Sequence, residues 1–349
     1  MLITEIARKA RVSPATVSRA INQPEIVAPE SLARIRAVMQ QHNYVPAPAA
    51  RRRGPKRALV EQRRIGVWFV GAKANNPSHN WFQDQLLHIQ PAEARTRIDL
   101  RVLFSATPDE LPPGLAAEKL DGLIIQGREP SAACLAQLRE LPYVWFMTRR
   151  SASFPGDYVE PNNEENGRLA ADYLAQQDHK AAAVLSTDPD YPAVARRVKA
   201  FVARAEEIGL PVRTILGKSN PAVGYLEISP VHGETETLAR TLLASTPRPT
   251  GLYLPVDHFC GSFFRVLREL GKKPGKDFEA ILGNYNPIIY PTLDHHPAAI
   301  DINLPTLVRK VVDHLCWRIE NRGIPGRIGV SVSPILLPRP GENGAPVVH

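Results

Sequence analysis

The arginine and lysine side chains of this 349-residue chain are its clearest chemical signal, because they are distributed very unevenly. Residues 1–57 hold eleven of them against three acids, a net charge of +8 that equals the formal net charge of the whole chain. The remaining residues carry equal numbers of basic and acidic groups. A concentrated positive charge attracts polyanions, so the sequence predicts a nucleic-acid partner for the N-terminal segment. The alternative, a solvated basic tail, would lack the apolar periodicity described below.

Residues capable of catalysis do not form a recognisable motif. The sequence contains no G-x-x-x-x-G-K-[ST] phosphate loop, no G-x-S-x-G nucleophile elbow, no H-E-x-x-H pair and no paired-cysteine metal knuckle. The adjacent pair His295-His296 lacks a third ligand and is interpreted as part of a surface loop. Cys134, Cys260 and Cys316 are widely spaced in apolar contexts, which is typical of buried thiols in a reducing compartment. We therefore predict neither an enzyme nor a cofactor or metal site.

The composition and the N-terminus indicate a location in the cell. No stretch of about twenty apolar residues is present to span a bilayer. The first five residues, Met1 to Glu5, reach polar and charged side chains too early for a secretory signal. The hydrophobic fraction of 44% and the charged fraction of 22% are those of an ordinary soluble protein. The sequence thus predicts a cytoplasmic protein with no membrane partner.

Short helices are predicted to position the N-terminal charges. Apolar residues recur at helical spacing over Ile3–Ala10, which predicts a first helix. Ser13 is a good N-cap followed by a proline suited to the first helical position, so a second helix is predicted over Pro14–Ile21. A third helix is predicted over about Pro29–Asn43. Two short helices joined by a tight turn make a helix-turn-helix unit.

A dense set of residues in this region matches one known family with its spacing intact: Ile6-Ala7, Val12-Ser13, Ala15 to Arg19, Asn22, Val27 and Tyr44-x-Pro46. These residues resemble the DNA-binding headpiece of the LacI/GalR family of repressors. The resemblance implies that the second helix enters the major groove of DNA.

The resemblance also implies a role for individual side chains. Pro14, Ala15 and Arg19 would occupy the base-reading positions. Arg19 can donate two hydrogen bonds to guanine, whereas Pro14 and Ala15 offer no donor and would read only a thymine methyl group or the shape of the groove. The remaining headpiece residues predicted to bind DNA, mainly through phosphates, are Ser13, Thr16, Ser18, Asn22 and Tyr44. For Thr16 and Ser18 the alternative is a solvated helix face.

A basic segment follows the headpiece, and residues 51–57 read Arg-Arg-Arg-Gly-Pro-Lys-Arg. In the family that the headpiece resembles, this segment forms a hinge helix whose leucine wedges into the minor groove. Arg53 holds that leucine position here. An arginine cannot unstack bases, but it can lie in a narrow, A·T-rich minor groove, so Arg51, Arg52 and Arg53 are predicted to bind DNA. The alternative is a basic linker that makes non-specific phosphate contacts.

The rest of the chain alternates apolar runs with amphipathic stretches. The predicted strands are Ile65–Val70, Leu100–Phe104, Gly122–Ile125, Tyr143–Met147, Ala181–Leu185, Val212–Leu216, Gly251–Leu254, Ala280–Leu282 and Ala299–Ile302. The predicted helices are Asn166–Gln177, Val194–Ile208, Thr235–Leu243, Phe259–Leu270 and Leu304–Glu320. This alternation predicts an α/β fold class: an N-terminal all-α helix-turn-helix domain, then a two-lobed domain with parallel sheets covered on both faces. Ligands in such folds bind at the carboxyl ends of strands, here in the cleft between the lobes.

A second set of matches lies in this region: Asp121 to Ile124, Gly167 to Ala170 with Tyr173-Leu174, Arg197 followed by Phe201, and Asp257 ahead of Leu267-x-x-Leu270-Gly271. These residues are similar to the periplasmic-binding-protein-like core of the same repressors. There are three departures from the family pattern: Ala200 replaces a glycine, Asn284-Tyr285-Asn286 replaces an aromatic-Asp pair, and Pro161-Asn162-Asn163 lacks an expected aspartate. The departures leave the class of ligand open.

Four core residues are predicted to bind an effector. The resemblance implies that Asp257 accepts hydrogen bonds from ligand hydroxyl or amine groups and that Arg197 faces the same cleft. An acid at the end of an apolar strand is costly without a partner, which independently favours a functional Asp257. Trp81 or Phe82 would supply an aromatic face for a sugar or purine. The alternatives are core packing for both aromatic residues and a surface charge for Arg197.

The predicted domains are a headpiece at 1–45, a basic hinge at 46–63 and a two-lobed effector-binding and dimerisation domain at 64–349. The expected lobes are an N-lobe at about 64–158 with 290–318 and a C-lobe at about 159–289 with 319–340. The chain is predicted to bind a pseudo-palindromic operator as a homodimer, with affinity controlled by a small molecule, a sugar or sugar derivative. The C-terminus has no leucine heptad, which favours a dimer over a coiled-coil tetramer. The alternative is a solute-binding-protein-like sensor with no specific DNA site.

Overall fold

The computed structural model describes residues 3–42, 44, 61–72, 85, 96–138, 140–149, 153–218 and 232–342. These residues belong to two compact units, which lie within residues 1–60 and 61–349. In the described part of the chain, no helix is both long and apolar enough to cross a membrane.

The described part of the first unit contains three α-helices: α1 (Ile3–Ala10), α2 (Pro14–Asn22) and α3 (Pro29–Gln41). All three were predicted, with ends that differ by no more than two residues. Their core consists of Ile6, Ala7 and Ala10 from α1, Val17 from α2 and Ile35 from α3, all of them buried. These residues recur every three or four positions, so each helix turns one apolar stripe inward and leaves its other faces to solvent.

The turn between α1 and α2 is a Schellman motif, which satisfies the last carbonyl groups of α1. The Val12 amide donates to the Ala7 carbonyl at 3.0 Å, and the Arg11 amide donates to the Arg8 carbonyl at 3.4 Å. Arg11 has a φ of +54°, in the left-handed region that costs a residue with a side chain about 1–2 kcal/mol. The tight reversal places Ser13 directly before α2.

The second unit contains two parallel sheets with helices on both faces. Its strands are β1 (Glu61–Val70), β2 (Thr96–Ser105), β3 (Gly122–Arg128), β4 (Tyr143–Arg149), β5 (Asp157–Pro161), β6 (Ala182–Ser186), β7 (Val212–Leu216), β8 (Gly251–Leu254), β9 (Glu279–Leu282), β10 (Ala298–Asp301), β11 (Gly329–Val332) and β12 (Ile335–Leu337). Its helices are α4 (Ala132–Gln137), α5 (Asn163–Gln176), α6 (Pro192–Glu207), α7 (His232–Leu243), α8 (Cys260–Glu269) and α9 (Leu304–Glu320). The predicted fold class is confirmed.

The two sheets repeat one arrangement. The first has the strand order β11-β5-β4-β3-β1-β2, and the second has the order β12-β10-β9-β8-β6-β7. All neighbours are parallel except β10 and β12, which pair antiparallel. Central strands such as β6 and β8 are buried along their whole length, as expected where helices cover both faces of a sheet.

The chain crosses between the lobes three times, and these crossings correct the expected lobe boundaries. Strand β5 belongs to the first sheet and is followed by α5, which packs on the second. Strand β10 belongs to the second sheet, although 290–318 was expected in the N-lobe; only α9 after it returns to the first. Strand β11 pairs with β5 in the first sheet, although 319–340 was expected in the C-lobe. Each of these strands lies next to a crossing, and nothing local in its sequence says which sheet it joins.

Helices α5 and α6 pack closely on each other and on the second sheet. Gly167 permits this approach, because a Cβ atom there would collide with the carbonyl oxygen of Arg197. Helix α6 is also held against the sheet, because its Phe201 ring stacks on the ring of Tyr253 on β8 with centroids 4.8 Å apart. The N-terminus of α5 is thereby held beside the middle of α6, at the edge where the strands of the second sheet end.

Candidate functional site

Helix α2 presents one polar face to solvent. Pro14, Ala15 and Arg19 are exposed, and Ser18 is half-buried. Ala15 and Arg19 are four residues apart, which places both side chains on the same side of the helix. Val17 points the other way, into the headpiece core. The predicted base-reading residues therefore share a solvent-exposed surface.

The N-terminus of α2 is capped by its own sequence. The Ser13 Oγ accepts a hydrogen bond from the Thr16 amide at 3.1 Å and lies 2.8 Å from the Thr16 Oγ1. Pro14 at the first helical position needs no partner for an amide hydrogen. The amide groups that remain at this end, with the positive end of the helix dipole, favour a bound anion.

The surroundings of α2 carry no negative charge in sequence. No acid lies between Glu5 and Glu25, while Arg8, Lys9 and Arg11 fall in the same interval as Arg19. Such a surface favours a polyanion, and the arginines supply the planar donors that suit bases and phosphates.

The other predicted DNA-binding residues are less defined. Tyr44 is half-buried and packs against the headpiece core, with its amide donating to the Met39 carbonyl at 2.8 Å. Asn22 is the last residue of α2, and its side chain is not among those described. Arg51, Arg52 and Arg53 lie outside the described residues, as do Trp81 and Phe82 of the predicted effector site. Their roles stay predictions.

A group of buried polar residues lies at the carboxyl ends of β8 and β9. Asp257 follows β8 by three residues and is only 4% exposed. Asn284, two residues after β9, donates a hydrogen bond to the Asp257 Oδ1 at 3.1 Å. The Asp257 Oδ2 is buried and accepts no well-formed hydrogen bond from the described residues, although the Asn286 side chain lies close enough to this carboxylate to favour its charged form. A buried carboxylate oxygen without a donor is rare in folded proteins and indicates a site for a missing donor.

Burial dominates the electrostatics of Asp257. Loss of hydration raises the pKa of this carboxyl above its ordinary value. Hydrogen bonds from its own backbone amide and from the side chains of Asn284 and Asn286, together with the positive charge of Arg197, act in the opposite direction. A ligand that donates a hydrogen bond to the free oxygen would favour the charged form of Asp257.

Arg197 lies in the same group. It was expected to face the cleft, but most of its described hydrogen bonds are to the protein itself. It is 5% exposed, and its Nη1 donates to the carbonyl oxygens of Pro255 at 2.7 Å and Gly283 at 3.0 Å. Its Nε donates to the Asn163 Oδ1 at 2.9 Å. Arg197 therefore ties the ends of β8 and β9 to the start of α5, and a ligand contact through its Nη2 stays a prediction.

Several polar residues of this edge were not predicted as site residues. Asn166 donates from its amide to the Gly283 carbonyl at 2.9 Å and accepts from the Tyr253 hydroxyl at 2.7 Å. Gln126, near the carboxyl end of β3 in the first sheet, is buried with an unpartnered Oε1 among the described residues. Asparagines just after a strand or at a helix start were the available signal, and Asn163 and Asn284 both lie in segments where the family pattern is broken.

Two direct contacts connect the lobes beside this cleft. Arg196 on α6 makes a bidentate ion pair with Glu160 on β5, with distances of 2.8 and 2.7 Å. The hydrogen bonds to Glu160 raise the pKa of Arg196 above its ordinary value. The Tyr191 hydroxyl donates to the Met147 carbonyl at 3.2 Å, and Met147 has a φ of +47°. Any relative motion of the lobes must lengthen or break these contacts.

No metal centre is formed by the residues that the structure describes: none of their histidine, cysteine, aspartate and glutamate side chains cluster in groups of three that could hold an ion. Cys134 and Cys260 are buried and Cys316 is half-buried, and none of the three forms a disulfide.

Comparison with known proteins found a family match in the first unit and similar proteins over most of the chain. The model of the family "Bacterial regulatory proteins, lacI family" matches residues 2–47. The HTH-type transcriptional regulator YvdE of Bacillus subtilis is 26% identical over 283 residues, which cover 81% of each chain.

Solved structures show the same fold. The transcriptional regulator CelR in complex with cellobiose matches with a TM-score of 0.60 and 17% identity, covering 97% of this chain and 99% of CelR. The Lac repressor dimer bound to operator and the anti-inducer ONPF matches with a TM-score of 0.58 and 18% identity, covering 97% and 98% of the two chains. The headpiece thus matches the lacI family model, and the chain as a whole is similar to HTH-type transcriptional regulators and shares the fold of the solved Lac repressor.

Proposed function

We propose that the chain is a repressor that binds a pseudo-palindromic DNA operator as a homodimer and releases or tightens its hold when a small molecule enters the cleft. The headpiece (1–45) would read DNA, the basic segment (46–63) would join it to the core, and the core (64–349) would bind the effector and the second protomer. The observation that carries this proposal is the exposed, acid-free face of α2 around Arg19.

On DNA, α2 would lie in the major groove. Arg19 would donate two hydrogen bonds to the O6 and N7 atoms of a guanine. Pro14 and Ala15 would contact a thymine methyl group. The hydroxyl groups of Ser13, Thr16 and Ser18, the Asn22 amide and the Tyr44 hydroxyl would bind phosphates and set the register.

Two headpieces are needed for useful affinity, because one short helix reads only a few base pairs. The Lac repressor, which shares this fold, is a dimer on its operator. A two-fold homodimer would place the two α2 helices on successive major grooves, about ten base pairs apart. Arg51, Arg52 and Arg53 would lie along the minor groove between the half-sites, where a narrow A·T-rich groove concentrates negative potential.

The effector would bind at the carboxyl edge of the second sheet. The free Asp257 Oδ2 would accept a hydrogen bond from a ligand hydroxyl, and Trp81 or Phe82 would cover one face of the ligand. The CelR structure was solved with cellobiose, which supports a carbohydrate or a related polyol as the effector class. Binding between the lobes would shift the contacts of Arg196 and Tyr191, and this shift would change the affinity of the headpieces for the operator.

Selection of duplexes from a random pool by the full-length chain tests this function. We expect a recovered consensus with two-fold symmetry, half-sites about ten base pairs apart and a guanine in each half-site. Recovery of no consensus, with binding that depends on salt alone, would favour the alternative of a solute-binding sensor with no specific DNA site.

A further inference from the structure

Asn163 is a buried side chain whose orientation is fixed by its neighbour. It is 2% exposed and begins α5 directly after the chain crosses from the first lobe to the second. The Nε of Arg197 donates to its Oδ1 at 2.9 Å. An arginine nitrogen can only donate, so the amide oxygen must face Arg197 and the Nδ2 group must face away from it.

The Asn163 Nδ2 is buried without a hydrogen-bond partner in the described part of the chain. The Asp257 Oδ2 likewise accepts no well-formed hydrogen bond there, although the Asn286 side chain lies near that carboxylate. Arg197 connects the two residues, because its Nη1 binds the Pro255 carbonyl, two residues before Asp257. The edge of the second sheet thus offers one unused donor and one unused acceptor, both on side chains more than nine-tenths buried.

The formal charge of this group is zero. Arg197 and Asp257 are its buried ionisable residues, and the charge of Arg197 already lowers the cost of the Asp257 carboxylate. Two other charged side chains that the structure describes as buried, Arg63 and Asp157, have their own ion-pair partners in the first lobe. An amide at position 163 adds no charge, so a ligand with a net charge would stay uncompensated in a buried site, which is unfavourable by a large factor.

We propose that Asn163 is a specificity-determining residue that selects an uncharged, hydroxyl-bearing ligand over its phosphorylated, carboxylated and amino derivatives. The inference rests on the proposed effector function of the cleft. A ligand hydroxyl oxygen accepts from the Asn163 Nδ2, and a ligand hydroxyl hydrogen is donated to the Asp257 Oδ2. Hydroxyl groups suit this pair of atoms because they both donate and accept.

A thermal-shift and calorimetric screen of the full-length chain tests the proposal with matched sets of compounds. The sets are glucose, galactose, ribose and cellobiose, each beside its phosphate, its carboxylate and its amino derivative. We expect the neutral member of the active set to bind about 100-fold more tightly than its charged derivatives. Tightest binding by a charged derivative overturns the inference and leaves the effector function standing. No binding by any compound contradicts the effector function, and the inference with it.

Substitution of Asn163 gives a second, independent readout. In Asn163→Asp the new carboxylate still accepts a hydrogen bond from Arg197 but has no donor for the ligand. We therefore expect the neutral ligand to bind about tenfold more weakly and the amino derivative to bind more tightly than it binds the unsubstituted chain. Asn162→Asp is the control for an added charge at the neighbouring residue. Its side-chain oxygen can still cap α5, as Asn162 does through the Glu165 amide at 3.0 Å, but the hydrogen bond from the Asn162 Nδ2 to the Glu165 Oε2 at 3.0 Å is lost, so the stability of this variant is measured beside its affinity. We expect that control to stay within about twofold of the unsubstituted chain.

Asn163→Ala covers the case in which the acidic variant does not fold. It removes the donor without adding charge, so the neutral ligand should again bind about tenfold more weakly, and the affinity for the amino derivative should not rise. Unchanged selectivity in folded Asn163→Asp, or unchanged affinity for the neutral ligand in Asn163→Ala, would overturn the proposed role of Asn163.

Discussion

The headpiece and the cleft place their functional polar groups in opposite environments. Around α2, the predicted base-reading residues Pro14, Ala15 and Arg19 are exposed. In the cleft, Arg197 and Asp257 are buried and hydrogen-bonded into the ends of two strands. The difference follows from the ligands: DNA meets a surface and displaces counterions, whereas a small molecule must be enclosed to gain affinity. Recognition of DNA is thus separable from the stability of the fold, and recognition of the effector is not.

Removal of Arg197 is the largest expected effect and tests the buried side of the comparison. Arg197→Ala leaves the Pro255 and Gly283 carbonyls and the Asn163 amide oxygen without this donor. We expect the free energy of unfolding of the core to fall by about 3–5 kcal/mol, measured by urea denaturation. Arg168→Ala is the control, because Arg168 pairs with Glu207 on the surface at 3.1 Å, and its loss should cost less than about 1 kcal/mol. Equal costs for the two variants would show that Arg197 is not structural.

Removal of Arg19 tests the exposed side. Arg19→Ala should weaken binding to the selected operator by about 1–3 kcal/mol and relax the preference for guanine at one position. Its unfolding free energy should not change, because the side chain is exposed. Arg34→Ala is a control with an exposed arginine on α3, outside the α2 surface. A stability loss in Arg19→Ala, or an equal loss of operator affinity in Arg34→Ala, would break the separation between recognition and folding.

Ser13 combines both roles within the headpiece, and two substitutions separate them. Ser13→Ala removes the cap on the Thr16 amide and should destabilise the headpiece by about 1 kcal/mol. Ser13→Asp keeps a capping oxygen but adds a negative charge, so thermal stability should be retained while operator affinity falls. Circular dichroism melts and gel shifts at fixed salt give the two quantities. Parallel losses of stability and affinity in both variants would mean that Ser13 acts through the fold alone.

The smallest expected effect concerns the basic segment. Arg53→Leu should lower the magnitude of the slope of log K against log salt by about one unit, since one phosphate neutralisation is lost. Gel shifts on the selected operator across a salt series measure this slope. An unchanged slope would favour a linker in which Arg53 makes no phosphate contact.

Local signals in the sequence predicted the headpiece almost completely. Ser13-Pro14 marks the start of α2, and the apolar residues of α1 and α3 recur at helical spacing. The nine predicted core strands are all present. Strands β5 and β11 were missed because their burial alternates along the strand instead of forming an apolar run, and β12 was missed because it has only three residues. Lobe membership depends on the crossings, which have no local signature.

The site was predictable only in part, for a physical reason. Asp257 could be found because an acid after an apolar strand is unusual. The bonds of Arg197 could not, because its acceptors at Pro255 and Gly283 are backbone carbonyls, which every residue carries. The unused donor of Asn163 depends on which way its amide is turned, and only the contact with Arg197 decides that.

The central claim is that a ligand bound in the cleft changes the affinity of the headpieces for DNA. Its most direct test is the operator dissociation constant of the full-length chain at fixed salt, with and without a saturating ligand from the matched screen. We predict a change of about 5–150-fold, and by linkage the same factor in the ligand dissociation constant when the operator is bound. A ligand that binds with high affinity and leaves the operator constant unchanged would contradict the account.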